Sequence, residues 1–337
     1  LAPRILPLAA IGLWFLLPWY RNVVYHGNPP SLFASTISKS ATGLTVVITL
    51  IVFYDGLGYD VNPLIPRSGI NTVNTATDWP SYGNTLGGSR YSPLDQINRD
   101  NVEDLEVAWT YRTGIGGPFK ATPLQIGELL YVCAAGNVII ALDAQSGDLS
   151  WQFDPLIDPE HLATIPYFTA GCRGVSYYAA PEGYRGECPE RILTATTDAR
   201  LIAVDAYTGE RCLQFGELGE ISLSEHMGND PRIFNFQTSP PGIVRGNAVV
   251  GGWVFDNQSV GEPSGVVRAF DALSGEFAWA WDMGRPGINT EPLRGEVYTR
   301  GTPNVWSLFS VDEELGLIYA PTGNETPDYF GGQRLES

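Results

Sequence analysis

Three segments of this chain are copies of one another, and they constrain the fold more than any other feature. They span residues 141–151, 203–213 and 269–279 and share the pattern A-x-D-A-x-[ST]-G-[DE], followed by a large apolar residue. The aspartate can accept turn hydrogen bonds, and the glycine can adopt the positive φ of a tight hairpin. Each copy therefore predicts a strand, a turn and a second strand. Repeated hairpins with an apolar packing residue in each are typical of a β-propeller.

The rest of the chain supports an all-β prediction. It has 337 residues, including 38 Gly, 25 Pro and 9 Trp, a composition that suits many turns and excludes a helical bundle. Alternating or continuous apolar runs predict further strands in residues 105–112, 129–132, 138–142, 191–205 and 242–255. About three blade-like units are visible, and 305–319 begins another. A closed propeller needs at least four, so we expect part of a larger propeller that continues beyond Ser337.

Charge divides the chain unevenly. The first 54 residues contain three of the 20 basic residues and none of the 37 acidic ones. The remainder is strongly acidic, which argues against a nucleic-acid partner because phosphate contacts require basic patches. A small neutral substrate or a partner protein is expected instead.

Two apolar runs precede the acidic part. Residues 5–20 and about 41–57 predict two transmembrane helices, so that 1–54 forms a membrane anchor in the lipid bilayer. A secretory signal or a buried strand are the alternatives. Arg21 and Lys39 lie between the runs, and the positive-inside rule places that loop in the cytoplasm. The predicted linker 55–77 and the propeller 78–337 then lie in the periplasm, outside a bacterial inner membrane.

Four cysteines, Cys133, Cys172, Cys188 and Cys212, lie in the exported part. Their spacing fits no zinc pattern, so one or two disulfides are expected in an oxidising compartment. The pairing stays open, and buried reduced thiols are the alternative.

Several short motifs together resemble a known family. They are Asp78-Trp79-Pro80-Ser81-Tyr82-Gly83, Arg90-Tyr91-Ser92-Pro93-Leu94, Thr122-Pro123-Leu124, Cys172-Arg173-Gly174-Val175-Ser176-Tyr177, Thr238-Ser239-Pro240-Pro241 and Thr326-Pro327-Asp328. With the three repeats, they resemble the membrane-bound glucose dehydrogenases that use pyrroloquinoline quinone (PQQ), with quinate dehydrogenases as near siblings. The resemblance implies an eight-bladed quinoprotein propeller. It also implies oxidation of an aldose, glucose to gluconolactone, with electrons passed to ubiquinone.

The same resemblance implies the site residues. Arg173, Thr238, Asn304 and Trp306 match positions that hold PQQ, and a guanidinium suits the cofactor's carboxylates. Asp256, Asn257, Asn324 and Thr326 match or neighbour positions that bind Ca²⁺ or Mg²⁺ through oxygen ligands. A structural ion pair for Arg173, ordinary turn chemistry for the polar pairs and inter-blade packing for Trp306 are the alternatives.

Three features depart from the family pattern. Lys120 stands where relatives often have a carboxylate, and Thr169 where the membrane glucose enzyme has a histidine. The family's catalytic aspartate belongs to a His-Asp-x-Trp-Asp type motif that this chain lacks. We therefore expect the base beyond Ser337 and an inactive fragment. Two other functions remain: a quinate or other polyol dehydrogenase, and a non-enzymatic propeller scaffold of envelope assembly. The oligomeric state and exact substrate stay open.

Overall fold

The chain divides into two compact units, Leu1–Ser68 and Gly69–Ser337. The computed structural model describes residues 77–165, 171–228, 235–329 and 331–333, all of which belong to the second unit. Sixteen strands make up most of the regular structure in these ranges. Within the same described residues, helical structure is limited to α1 (Pro159–Thr164) and to short 3₁₀ turns at Val102–Asp104, Ala135–Asn137 and Gly331–Gln333. The prediction of an all-β domain is confirmed.

Three four-stranded antiparallel sheets follow one another along the chain. The first contains β1 (Leu124–Ile126), β2 (Leu129–Cys133), β3 (Ile139–Asp143) and β4 (Leu149–Phe153). The second contains β5 (Ser176–Ala179), β6 (Glu190–Ala195), β7 (Arg200–Asp205) and β8 (Glu220–Ser222). The third contains β10 (Gly242–Val244), β11 (Asn247–Val250), β13 (Val267–Asp271) and β14 (Phe277–Trp281). In each sheet, successive members pair as neighbours.

Two smaller sheets complete the description. The strands β9 (Asn235–Phe236) and β12 (Trp253–Val254) pair with each other, as do β15 (Ser310–Asp312) and β16 (Leu317–Tyr319). The β15–β16 hairpin lies where the sequence predicted the start of a fourth unit. Strand β15 pairs Ser310 with Tyr319 in antiparallel register, as β10 pairs Gly242 with Val249.

Each predicted repeat forms the turn between the third and fourth strands of its sheet. The Oδ1 atoms of Asp143, Asp205 and Asp271 accept hydrogen bonds from the backbone N–H groups two and three residues later, at 2.7–3.0 Å. The glycine that closes each turn has a positive φ of 69–77°. The local reading of the repeat is therefore confirmed in all three copies.

Tryptophan side chains join one unit to the turn of the next. The Nε1 of Trp109 donates to the Ala144 carbonyl at 3.3 Å, and the Nε1 of Trp151 donates to the Ala206 carbonyl at 3.0 Å. The rings lie so close to Gly147 and Gly209 that a Cβ on either glycine would be 2.5 Å from ring carbon. The Trp151 contact is the packing that the repeat predicted, whereas Trp109 precedes the first copy of the repeat and was not predicted by it.

The third contact of this type has no tryptophan. Leu213 occupies the equivalent position and is 54% exposed. The backbone N–H of Gly216 instead donates to the Ser274 carbonyl at 2.8 Å and lies against Gly275. Arg200 and Arg211 form ion pairs with Glu220 in the same part of the second sheet, at 2.9 and 2.6 Å.

The hydrophobic core lies between successive sheets. Side chains of the first two sheets form one buried cluster, among them Leu124, Tyr131, Ile139, Ile192 and Val204. A second cluster joins the second and third sheets, and a third joins the third sheet to β15 and β16. Face-to-face packing of consecutive antiparallel sheets is the arrangement of propeller blades.

Two disulfides cross-link this domain and answer the open pairing. Cys133 bonds to Cys172, and Cys188 bonds to Cys212; each pair has a Cα–Cα distance of 5.8 Å. The four cysteines are therefore oxidised, and the alternative of reduced thiols is wrong for this structure.

Some predictions differ from the structure or lie outside it. Residues 105–112 form no strand, and Trp109 docks on the first sheet while Val107 is 82% exposed. An alternating segment forms a strand only where a neighbouring strand can pair with its backbone, and no described strand pairs with this segment.

The two predicted membrane helices and the 55–77 linker fall outside the described residues, apart from Thr77. No helix within the described ranges is long and apolar enough to cross a bilayer. The count of eight blades stays a prediction.

Candidate functional site

Arg173 lies at the meeting point of three parts of the domain. Its segment, residues 171–175, precedes β5 and forms no strand. The backbone N–H of Arg173 donates to the Thr238 carbonyl at 3.0 Å, and the Thr122 N–H donates to the Arg173 carbonyl at 3.3 Å. The backbone of Arg173 is thus attached to the entry of the first sheet and to the entry of the third.

The side chain of Arg173 extends to the entry of the fourth unit. Its Nη1 donates to Thr238 Oγ1 at 3.1 Å, to Ser239 Oγ at 3.2 Å and to the Trp306 carbonyl at 2.5 Å. The guanidinium carbon lies 4.9 Å from the centroid of the Trp306 ring. We call these four residues the hub cluster. Planar donors and an aromatic face in one place suit a flat, anionic ring system.

The electrostatics of the hub cluster favour an anion. Burial lowers the pKa of Arg173, and the nearby Tyr82 acts in the opposite direction. An arginine stays protonated even so, because its ordinary pKa is far above neutral. No carboxylate in the described ranges forms an ion pair with Arg173. The alternative role of Arg173 in a structural ion pair therefore has no support in these ranges. Arg173 is therefore a cation that a bound carboxylate could neutralise.

Asn304 is the second unusual group of the site. It is 1% exposed, and neither its Oδ1 nor its Nδ2 has a hydrogen-bond partner in the described structure. Leaving a buried polar group unpaired costs about 1–3 kcal/mol. Gly323 packs against it: a Cβ there would lie 2.9 Å from Asn304 Oδ1. A ligand with polar edges would satisfy this amide.

Gln237 is a site residue that the sequence analysis missed. Its Nε2 is also buried without a partner, and the residue lines a cavity of about 10 Å³ together with Thr238, Ser239 and Trp306. A space of this size holds about one water molecule. Only its position next to Thr238 could have indicated it.

Oxygen-bearing side chains form a second group, the oxygen cluster, made of Asp256, Asn257, Asn324 and Asp328. Asn324 Nδ2 donates to Asp328 Oδ1 at 2.7 Å, and the Asp328 N–H donates to the Asp256 carbonyl at 2.9 Å. Asn257 Nδ2 donates to Asp256 Oδ1 at 3.2 Å, while Asn257 Oδ1 accepts from the Tyr329 N–H at 2.9 Å. Asp328 is the last residue of the Thr326-Pro327-Asp328 motif and was not predicted to be a site residue.

These bonds orient the two amides differently. The nitrogen of Asn324 is held by Asp328, so its oxygen is the atom left to coordinate a cation. The oxygen of Asn257 is instead used by Tyr329, which makes this residue a support for Asp256. Thr326 is buried and its Oγ1 donates to the Val260 carbonyl at 2.9 Å, so its hydroxyl holds the loop in place.

The oxygen cluster is negatively charged. Burial raises the pKa of Asp256, and the neighbouring Asp328 raises it further. Two nearby carboxylates favour a bound cation, because a cation removes both penalties. Within the described ranges, no group of three or more His, Cys, Asp or Glu is placed to hold a metal ion. A cation here would therefore need amide oxygens beside the two carboxylates.

The two clusters adjoin through one short segment. Gly323 contacts Asn304, and a Cβ on it would lie 3.9 Å from Trp306 Nε1, while the next residue, Asn324, belongs to the oxygen cluster. The structure thus places six of the eight predicted site residues in the two clusters. Asn304 lies against Gly323 between them, and Thr326 is bonded to Val260 instead of to either cluster. Lys120 lies in the described part, whereas Thr169 lies outside it.

The donor set therefore fits an anionic planar cofactor with a hard cation, on a domain of propeller-type sheets. Comparison with known proteins specifies the family. Residues 79–337 match the family model for the PQQ-dependent glucose/ethanol/alcohol dehydrogenase β-propeller domain. The chain belongs to this family, whose members use PQQ together with a divalent cation. Because this family is one of dehydrogenases, the match does not support the alternative of a non-enzymatic propeller scaffold.

Individual relatives agree with this assignment. Quinoprotein glucose dehydrogenase A of Acinetobacter calcoaceticus is 35% identical over 100% of this chain and 44% of its own length. A glycerol dehydrogenase large subunit of Gluconobacter oxydans is 40% identical over 82% of this chain and 37% of its own. A quinate/shikimate dehydrogenase of Acinetobacter baylyi is 36% identical over 81% and 35%. The chain thus spans less than half the length of these relatives.

A solved structure supports the fold. The quinohemoprotein alcohol dehydrogenase of Comamonas testosteroni superposes with a TM-score of 0.60 at 26% identity, over 76% of this chain and 36% of that one.

Proposed function

We propose that the complete protein oxidises glucose or another aldose to its lactone, using PQQ and Ca²⁺ or Mg²⁺. The observation that carries the proposal is the similarity to the Acinetobacter glucose dehydrogenase along the entire chain, including the first 68 residues. The glycerol and quinate enzymes match 82% and 81% of it.

The hub cluster and Asn304 are the proposed cofactor contacts. Arg173 would pair with a carboxylate of PQQ, and Trp306 would present its ring face to the cofactor. Thr238 and Asn304 would form hydrogen bonds with the polar edges of PQQ. Asp256 and Asn324 would supply oxygen ligands to the cation, with Asn257 and Thr326 holding the surrounding loop. The chemistry supplied by bound PQQ is the two-electron oxidation of an alcohol group, assisted by the cation as a Lewis acid. The general base would come from a part of the complete protein outside this chain.

Location and electron acceptor belong to the same proposal. The apolar runs at 5–20 and about 41–57, with Arg21 and Lys39 between them, support a bacterial inner-membrane anchor. The acidic domain would then lie in the periplasm, and ubiquinone in the bilayer would receive the electrons.

Oxidation of a polyol is the second proposed function. The 40% identity to a glycerol dehydrogenase large subunit exceeds the 35% identity to the glucose enzyme. Quinate or glycerol would then replace glucose as the substrate, with the same cofactor and site residues.

Dye reduction by the complete protein distinguishes these substrates. The protein would be reconstituted with PQQ and Ca²⁺ or Mg²⁺ and offered glucose, quinate and glycerol in parallel. Faster reduction with glucose supports the first proposal, and faster reduction with either polyol supports the second. Protein without PQQ is the control. No PQQ-dependent reduction with any of the three would contradict both proposals.

A further inference from the structure

The disulfide between Cys133 and Cys172 joins a sheet to the segment that carries Arg173. Cys133 is the last residue of β2, and Cys172 directly precedes Arg173. Both are buried, at 1% and 2% exposure, and they are 39 residues apart in sequence. The bond therefore fixes the residue next to Arg173 to the end of a strand in the first sheet.

Besides the disulfide, this segment is held by the core packing of Cys172 and Val175 and by few backbone hydrogen bonds within the described structure. Residues 171–175 pair with no strand, and the backbone of Arg173 makes the two hydrogen bonds to Thr122 and Thr238 described above. Neither bond involves β2. Without the covalent tie, Arg173 would keep its partners but lose the constraint that limits rotation and displacement of its backbone. A guanidinium that must meet a carboxylate in planar geometry is sensitive to such displacement.

The second disulfide provides an internal comparison. Cys188 and Cys212 have the same Cα–Cα distance of 5.8 Å and are also buried. Both belong to the second sheet unit, and their neighbours form the core shared with the third sheet. This bond touches no residue of the hub cluster or of the oxygen cluster.

We propose that Cys133 and Cys172 are positioning residues for Arg173, and that their disulfide pre-organises the guanidinium for the carboxylates of PQQ. The inference rests on the proposed function, since it requires Arg173 to contact the cofactor. It assigns the two disulfides different roles: Cys188–Cys212 stabilises the fold alone, whereas Cys133–Cys172 also sets cofactor affinity.

A double-mutant cycle on the complete protein tests this inference. The variants are Cys133→Ala/Cys172→Ala, Arg173→Ala, their combination, and Cys188→Ala/Cys212→Ala as the matched control. Equilibrium dialysis with Ca²⁺ present gives the Kd for PQQ, and urea titration gives the unfolding midpoint. We expect the Cys133/Cys172 variant to raise the Kd about tenfold, which corresponds to about 1.4 kcal/mol. The Cys188/Cys212 variant should lower the midpoint and leave the Kd unchanged.

The PQQ affinity of the combined variant shows whether the disulfide acts through Arg173. If the disulfide acts through Arg173, the combined variant binds PQQ no more weakly than Arg173→Ala alone. Additive losses, or a Kd for the Cys133/Cys172 variant equal to that of the control, would overturn the inference. An unchanged Kd in Arg173→Ala would instead refute the proposed role of Arg173. If the Ala pair does not fold, Cys133→Val/Cys172→Ala fills the lost volume and carries the same test.

Discussion

The junctions between sheets and the candidate site differ in how many of their polar groups have a partner within this chain. At the sheet junctions, Trp109 and Trp151 bury their rings on glycine turns and also place each indole N–H on a carbonyl. At the site, Asn304 and Gln237 have buried amide groups without partners, and Asp256 lies near a second carboxylate. Polar groups buried in native proteins are nearly always paired, so a ligand at this site would supply partners for Asn304 and Gln237. Other unpaired buried atoms, among them Thr194 Oγ1 and Tyr298 Oη, lie outside the site.

This difference separates stability from binding. A substitution at a junction removes packing that the chain supplies to itself, and it should lower the free energy of unfolding. A substitution at the site removes a group whose partner is the cofactor or the cation, and it should change affinity instead. The following predictions test that separation on the complete protein, in order of decreasing effect.

Trp151→Ala should destabilise the protein by about 3–5 kcal/mol, because it removes a buried ring and its hydrogen bond. Leu213→Ala, at the equivalent but exposed position, should change stability by less than about 0.5 kcal/mol. Urea denaturation measures both. Equal losses at the two positions would show that the third junction depends on its apolar residue as the others do.

Asp256→Ala should weaken Ca²⁺ binding in the presence of PQQ by about 100-fold, because it removes a charged oxygen ligand. Asn257→Ala is the matched control, with a smaller expected loss of about tenfold, since its oxygen already accepts from Tyr329. Isothermal titration calorimetry gives both affinities. A larger loss for Asn257→Ala would reverse the assignment of ligand and support.

Asn304→Ala should weaken PQQ binding by about tenfold while leaving the cofactor-free protein as stable as before, within about 1 kcal/mol. The reason is that the amide has no partner to lose until the cofactor binds. Thermal unfolding with and without PQQ provides the comparison. A large loss of stability in the cofactor-free variant would mean that Asn304 is an ordinary structural residue.

Glu220→Gln should cost about 0.5–1 kcal/mol at pH 7, the typical value of a partly exposed ion pair. Burial alone would raise the pKa of Glu220, but hydrogen bonds from Arg211 and Arg200 outweigh it and lower the pKa. The stabilisation is therefore complete above the unfolded-state pKa of about 4.3 and is lost as the pH falls through the lower folded-state pKa. Unfolding measured from pH 7 to pH 3 should show the two proteins converging. A constant difference would exclude the ionised carboxylate as its cause.

The third junction shows where prediction from the repeat stopped. The pattern predicts a packing role for the apolar residue at position 213, yet Leu213 is 54% exposed. Gly216 occupies the place beside Gly275, and the Arg200, Arg211 and Glu220 network lies nearby. A repeat specifies the turn of each unit, but the partner of that turn comes from the preceding unit and follows its own sequence.

What the sequence by itself determined is local. The aspartate, the hydroxyl or amide neighbours and the glycine of each repeat lie within five residues, so their hydrogen bonds form in any hairpin that contains them. The motifs around Arg173, Thr238, Asp256 and Asn324 likewise indicated the family and its cofactor, which the family match confirmed.

Only the tertiary structure decided the rest. It paired Cys133 with Cys172 and gave Arg173 its contacts with Thr238 and Trp306. It also left Asn304 without a partner. In the oxygen cluster, Asn324 donates through its amide nitrogen, whereas Asn257 accepts through its amide oxygen. These contacts join residues up to 133 positions apart in sequence. The physical reason is that a hydrogen bond or disulfide depends on distance and direction, which distant residues acquire only when the sheets between them have packed.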